Sequence, residues 1–185
     1  MTLLASFSHS FADSQRAFRL ILKALSEPGV KVALPPLPCW GNASSAATAI
    51  LMTLVDRAMP FWLDSSLSDR AMLENLERFG ARTATKKEAS VALLDAVSET
   101  AIEEFTPDHG PATVIVEVSA LSGGLTLRLS GPDLREPRAI APKLPEAVLR
   151  YLRERVHSFP QPVDLIFTCG DTMMALPHTT NVVVC

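Results

Sequence analysis

A mixed β-sheet covered by helices, an α/β layer sandwich, is the fold class this sequence predicts, and three observations lead to it. Segments with apolar residues at helical spacing alternate with short β-branched or aromatic runs through the first half of the chain. Late in the chain two alternating runs flank Gly170-Asp171, a two-residue connection that favours a tight hairpin. The 14 prolines are spread between periodic segments rather than gathered at one boundary, so the 185 residues read as one domain, residues 1–185.

The first helix is expected to start near Asp13 as N-cap and to carry Ala17, Phe18, Ile21, Leu22 and Leu25 on one stripe until Pro28-Gly29 ends it. Val30 to Leu34 reads as a short strand, and the prolines at 35, 36 and 38 confine the next segment to an edge or loop. Ser44 can cap a second helix whose Ala46, Ala47, Ile50, Leu51 and Leu54 are apolar over most of the circumference, which predicts burial. Asp56 to Pro60 turns the chain into the aromatic strand Phe61-Trp62-Leu63, and Ser68 then caps a third helix that runs through Phe79 to Gly80.

Val91 to Leu94 reads as a strand, and Glu99 to Gly110 as an acidic loop with one helical turn. Thr113 to Val118 and Leu125 to Leu129 both alternate, and Ser122-Gly123-Gly124 between them suggests that they pair through a turn. Pro145, at a first helical position, opens a last helix with Val148, Leu149, Leu152 and Val156 on its apolar stripe and Arg150, Arg153 and Arg155 mostly off it. Asp164 to Cys169 and Thr172 to Leu176 form the hairpin, and Asn181 to Val184 is a closing strand.

Charge and composition exclude several classes. Seventeen basic against 20 acidic residues give a net charge of −3, without the basic field that holds a nucleic-acid backbone. Met1 to Gln15 lacks the basic and apolar regions of an export signal, and the apolar run Ala46 to Val55 is too short to span a bilayer, so a soluble protein is expected. Cys39, Cys169 and Cys185, odd in number and widely spaced, fit free thiols in a reducing cytoplasm.

The chemistry-bearing residues are sparse. His9, His109, His157 and His178 are not arranged with each other or with a cysteine at metal-ligand spacing, and there is no nucleophile elbow, phosphate loop or dinucleotide fingerprint. Ser122-Gly123-Gly124 is either an anion nest or a turn. Arg128 to Arg155 holds seven Lys/Arg against four acids, a local excess of +3 that either faces an anion or acidic partner or is a solvated surface. Asp171 and His178-Thr179-Thr180 stand beside strand ends, where sites commonly sit in α/β folds, with Cys169 adjacent as a thiol. His178 and the two threonines would meet a phosphate with an imidazole N–H and two hydroxyls, or would only satisfy a turn.

Nearly the whole chain resembles the PhnH family of the bacterial carbon–phosphorus lyase system. The matching stretches are Phe18-Arg19, Leu25-Ser26-Glu27-Pro28-Gly29, Thr53-Leu54-Val55-Asp56 and Pro60-Phe61-Trp62-Leu63. They continue with Leu121-Ser122-Gly123-Gly124, Leu127-Arg128-Leu129-Ser130-Gly131-Pro132, Phe159-Pro160, Asp164 through Asp171, and Leu176-Pro177-His178-Thr179-Thr180. The family often has Arg where this chain has His178, which replaces a permanent charge by a titratable one.

The resemblance implies a three-layer α/β/α sandwich similar to the large domain of fold-type I pyridoxal-phosphate enzymes, and a homodimer in isolation. It does not imply that cofactor: such enzymes use a Schiff-base lysine on a chain roughly twice as long, and Lys23, Lys31, Lys86, Lys87 and Lys143 offer no evident candidate. It further implies a subunit working with PhnG, PhnI and PhnJ to form ribose 1-alkylphosphonate 5-triphosphate from ATP and phosphonate, with catalysis assigned to other subunits. Three readings remain: a non-catalytic subunit; a phosphate- or nucleotide-binding subunit using Arg128, Arg138, Asp171, His178, Thr179 and Thr180; and a stand-alone enzyme using Cys169 or Asp164 with the Asp171/His178 region. No metal site or iron–sulfur cluster is expected, because the three cysteines lack the spacing.

Overall fold

The computed structural model describes residues 10–55, 59–108, 110–155 and 163–185, with side chains from residue 12 onward. The alternation read from the sequence becomes an open seven-stranded sheet and a separate three-stranded one. Four helices are described: α1 (Ser10–Ser26), α2 (Ser45–Leu54), α3 (Arg70–Arg78) and α4 (Glu146–Glu154). The strands in chain order are β1 (Val32–Ala33), β2 (Pro60–Leu63), β3 (Arg82–Thr83), β4 (Val91–Leu94), β5 (Ala112–Glu117), β6 (Leu127–Ser130), β7 (Arg138–Ile140), β8 (Val163–Cys169), β9 (Thr172–Leu176) and β10 (Asn181–Val184).

The large sheet has the order β1-β9-β8-β5-β4-β2-β3; the pairs from β8 to β3 are parallel, and β9 is antiparallel to both its neighbours. Its central strands are largely apolar on both faces, as a sheet covered on both sides requires. Val91 and Leu93 of β4 join Ile115, Ile166 and Met173 under α1, α2 and α3. Ala92 and Leu94 join Val114, Val116, Leu165 and Phe167 on the opposite face, against α4 and the small sheet. Connections from β1 to β3 thus run over one face and those from β4 to β8 over the other, and the chain changes direction across the sheet between β2 and β4. That is the topological switch point, where a crevice forms at the carboxyl ends of the strands.

Several local expectations hold. Ser44 caps α2, its hydroxyl accepting the Ala47 N–H at 3.1 Å, and Ala46 through Leu51 are buried. The Gly170-Asp171 turn joins β8 to β9 in register, with Gly170 at φ +60°, which only a residue without Cβ adopts freely. One short 3-10 turn, Ile102–Glu104, interrupts the acidic loop.

Others are corrected. Helix α1 already begins at Ser10, so Asp13 lies within its first turn, where its charge faces the positive end of the helix, rather than at the cap. The third helix is capped by Asp69, not Ser68: Asp69 Oδ1 accepts the Met72 N–H at 2.9 Å while Oδ2 accepts the Asn42 N–H at 2.9 Å, so this carboxylate also ties down the loop after Trp40. Ser68 instead closes the 3-10 turn Ser65–Leu67. Pro145 is the cap of α4 rather than its first residue.

The expected pairing of Thr113–Val118 with Leu125–Leu129 does not form. β5 lies between β4 and β8, whereas β6 pairs with β10 and β7 in the small sheet, order β10-β6-β7. Gly123-Gly124 therefore makes no hairpin. Gly124 lets two backbones pass closely, since a Cβ there would lie 2.2 Å from the Pro142 carbonyl oxygen, and its N–H bonds to Ala141 O at 2.8 Å. The Asp56 turn, Val156, Phe159-Pro160, His9, His109 and His157 lie outside the described residues. Among the described residues no helix is long and apolar enough to cross a membrane.

Candidate functional site

Two regions hold the polar groups that the fold concentrates. The first is the carboxyl edge of the large sheet. Asp64 follows β2 and Asp95 follows β4, on either side of the switch point. Asp64 Oδ2 accepts the Asp95 N–H at 3.2 Å, and Asp95 Oδ2 accepts the Ser66 hydroxyl at 2.8 Å. They border a recess of about 510 Å³ that also includes Glu99, Glu104, Lys86 and Val97. Lys86 is held by Glu104 at 2.8 Å and lies over the Trp62 ring at 5.3 Å. Four carboxylates against one ammonium make this recess unfavourable for a phosphate.

Behind it, Glu117 ends β5 as a mostly buried acid. Its Oε1 accepts the Ser44 N–H at 2.7 Å and its Oε2 accepts the Thr168 hydroxyl at 3.1 Å. Burial raises its carboxyl above the usual range, the hydrogen bonds from Ser44 and Thr168 pull it back, and the charge of Asp95 pushes it up again. The Ala46 N–H bonds to Gly170 O at 2.9 Å and the Ala47 N–H to Ser44 Oγ. The Ala46 and Ala47 donors in the first turn of α2, part of a ready-made anion site in many α/β proteins, are thus satisfied from within.

The second region is the His178 corner, at the opposite end of β8. The His178 backbone N–H and ring Nδ1 both lie 2.8 Å from Asp164 Oδ1. The Thr179 hydroxyl donates to Asp133 Oδ2 at 3.0 Å. Thr180 is buried, its N–H bonds to Pro177 O at 3.0 Å, and its carbonyl accepts a hydrogen bond from Arg155. Burial holds the Arg155 guanidinium below its ordinary range, partly offset by Tyr151, whose own phenol is raised by burial. Arg155 thus turns inward from the last turn of α4 instead of joining a wet basic side.

The structure therefore divides the residues that the sequence singled out. His178, Thr179 and Thr180 share one corner, with Nδ1 and the Thr179 hydroxyl already committed to carboxylates. Arg138 is apart from it: Nη1 donates to Pro28 O at 2.6 Å, clamping the turn after α1 onto the small sheet. Arg128 is exposed on the outer side of that sheet, between Val183 and Ala139. Asp171 sits in the β8–β9 turn, accepting the Thr172 hydroxyl at 3.0 Å, while its carbonyl takes the Leu34 N–H. Cys169, half-buried with Sγ 3.6 Å from Ser119 O, shares that end. From Cys169 back to Asp164 and His178 is five strand residues, roughly 17 Å at the usual rise. The thiol and the imidazole are not brought together.

Sequence reasoning missed Glu117, Asp69 and Arg155 in these roles. A lone Glu closing the β-branched run of β5 was the available signal for the first; the other two look like ordinary surface charges until their partners are known. Among the described residues no three His, Cys, Asp or Glu side chains are grouped to hold a metal.

Residues 5–183 match the family model described as bacterial phosphonate metabolism protein (PhnH). The chain belongs to the PhnH family. Among curated relatives it is 32% identical, over 95% of its own length and 94% of the relative's, to the alpha-D-ribose 1-methylphosphonate 5-triphosphate synthase subunit PhnH of Rhizobium meliloti (strain 1021). It is 31% identical, over 91% of itself and 85% of the relative, to the putative C-P lyase subunit protein HtxG of Stutzerimonas stutzeri. Both relatives are named as subunits of larger enzymes.

Proposed function

We propose that this chain is the PhnH-type subunit of a carbon–phosphorus lyase core, acting in alkylphosphonate catabolism within a synthase that makes ribose 1-alkylphosphonate 5-triphosphate. The observation that carries this reading is the near full-length match to a subunit of that synthase, 32% identical over 95% of the chain. Its partners are PhnG, PhnI and PhnJ, it works in the cytoplasm as one domain spanning residues 1–185, and it forms a homodimer when isolated. Its fold is the three-layer kind of the fold-type I pyridoxal-phosphate transferases, a reading supported by helices on one face of the large sheet and α4 on the other.

The role is organisational rather than catalytic. The separation of Cys169 from His178 supports this, as does the internal use of the donors at the start of α2. Co-expression with PhnG, PhnI and PhnJ, tag purification and native mass measurement tests it. A stoichiometric complex is expected; recovery of this chain alone beside soluble partners would refute it.

One observation favours a second reading, an anion-binding subunit. Asp164 fixes the His178 ring through Nδ1 while the side chain stays 43% exposed, so Nε2 can donate to an anionic group when the ring carries both protons. In this reading Arg128, Arg138, Asp171, Thr179 and Thr180 serve the same ligand class only after rearrangement. A melting temperature unchanged by millimolar ATP or methylphosphonate would exclude it for the isolated chain.

A further inference from the structure

Helices α1 and α2 pack together in the cluster that holds Ala17, Ile21 and Ala24, all buried. Beside that seam they leave a groove of about 440 Å³ whose lining includes Gln15, Phe18, Arg19, Leu22 and Met52. Phe18 and Leu22 are 50% and 45% exposed. Single exposed apolar side chains are ordinary, and Leu73, Val97, Leu125 and Val183 stand on separate elements or loops. Phe18 and Leu22, four positions apart on one helix, are neighbours, and half-buried Met52 faces the same groove from α2. The Thr53 hydroxyl on that wall is turned back to Ala49 O at 2.8 Å.

One flank of the groove carries a single sign of charge. Arg16, Arg19 and Lys23, all exposed, follow at i, i+3 and i+7, which sets them within about 60° of one another around α1, on the side where Arg19 borders the groove. Among the described residues none of the three forms an ion pair. Asp13 is the one acid of α1 and lies nine positions before Leu22, half a turn round the helix from it, and α2 has no charged residue. Like charges three and four positions apart weaken a helix rather than support it, so nothing within α1 accounts for the row.

We propose that this groove receives an amphipathic, acidic helix of another subunit of the complex. Apolar side chains at i and i+4 of that helix enter between α1 and α2, and carboxylates on its flank meet Arg16, Arg19 and Lys23. The inference rests on the subunit role proposed above and adds to it a docking surface and the chemistry of what docks. From Ser14 to Leu22 the groove runs about 12 Å along α1, two helical turns, the reach of an i, i+4 pair of anchors. The row of cations fixes the sign of the occupant, because a basic segment would set like charges together and an uncharged one would leave all three unanswered. A bilayer needs a face that protrudes. Phe18 and Leu22 instead border a concavity walled by Met52, which fits the ridge of a helix.

The test uses the full chain co-expressed with PhnG, PhnI and PhnJ. Phe18→Ser with Leu22→Ser, and separately Arg19→Glu with Lys23→Glu, should each lower the amount of this chain retained in the purified complex at least about tenfold, while the isolated variants keep the parent's circular dichroism. Retention of the parent should fall as salt rises, and Arg16→Gln, Arg19→Gln and Lys23→Gln together should remove that dependence. Photo-cross-linking from Gln15→p-benzoylphenylalanine should label a partner-subunit segment with apolar side chains four positions apart and carboxylates beside them. Variants retained like the parent overturn the groove while leaving the subunit role standing. So does a cross-link to a basic segment, to a second copy or to residues 1–9 of the chain itself, and so does binding of the isolated chain to phosphatidylserine vesicles that the same variants abolish. A parent chain recovered alone beside soluble partners overturns both.

Discussion

Glu117→Gln should make the protein more stable at neutral pH, and the gain should vanish in acid. The Glu117 carboxylate is mostly buried between β5, β8 and the start of α2, and burial holds its proton affinity above that of the unfolded chain. The folded state therefore binds the proton more tightly than the unfolded one. The associated stabilisation is complete below the unfolded value of about 4.3 and is lost as the pH rises through the higher folded value. At pH 7.5 the ionised group is a cost to folding.

Gln removes that cost and keeps both contacts, since its carbonyl can still accept the Ser44 N–H and its amide can donate to the Thr168 oxygen. Each tenfold difference in proton affinity between folded and unfolded states is worth about 1.4 kcal/mol, or roughly 3–6 °C in melting temperature for a domain of this size. Glu117→Ala is the contrast: it strands the Ser44 N–H and the Thr168 hydroxyl and should cost about 1–3 kcal/mol for each at every pH. Urea unfolding of the parent and both variants between pH 4 and 8 reads the effect. A Glu117→Gln protein less stable than the parent at pH 7.5, with the gap widening as pH rises, would show that α2 and the two hydrogen bonds favour the ionised form and would refute the reasoning.

The other predictions rest on single contacts. Asp69→Ala should destabilise by about 1–2 kcal/mol in chemical denaturation, because it removes the α3 cap and the tie to Asn42, whereas Asp69→Asn should retain most of the capping. Gly124→Ala should cost about 1–3 kcal/mol or more, since the new methyl would meet the Pro142 carbonyl, a backbone atom with little room to move; an unchanged unfolding midpoint would contradict the close approach. Phe105 is fully buried and packs edge-on against Trp62 at 5.4 Å, so Phe105→Ala should lose about 3–5 kcal/mol, read from the urea midpoint at constant slope.

Legibility followed locality. The Ser44 cap, the burial of α2, the Gly170-Asp171 turn and the 3-10 turn in the acidic loop all rest on residues within a few positions of one another, and each was readable. β3 and β7 were missed because two or three residues carry no period. The false pairing of β5 with β6 came from reading a Gly pair between two alternating runs as a hairpin turn, when the close passage of residues 141–142 is what excludes a Cβ at Gly124. In the candidate regions the side chains could be named but not their partners: His178 is held by a residue 14 positions away, Thr179 by one 46 away and Glu117 by one 73 away.

Sequence by itself determined the order and kind of the main elements, the α/β class and, through resemblance, the family, because caps, turns and hydrophobic period are short-range properties. Only the tertiary structure decided which strands are neighbours, where the switch point falls, and that Arg138 and Arg155 turn inward to carbonyls. Those outcomes depend on closing loops between distant residues and burying both faces of one sheet, and a hydrogen-bond partner tens of positions away leaves no mark on the local pattern.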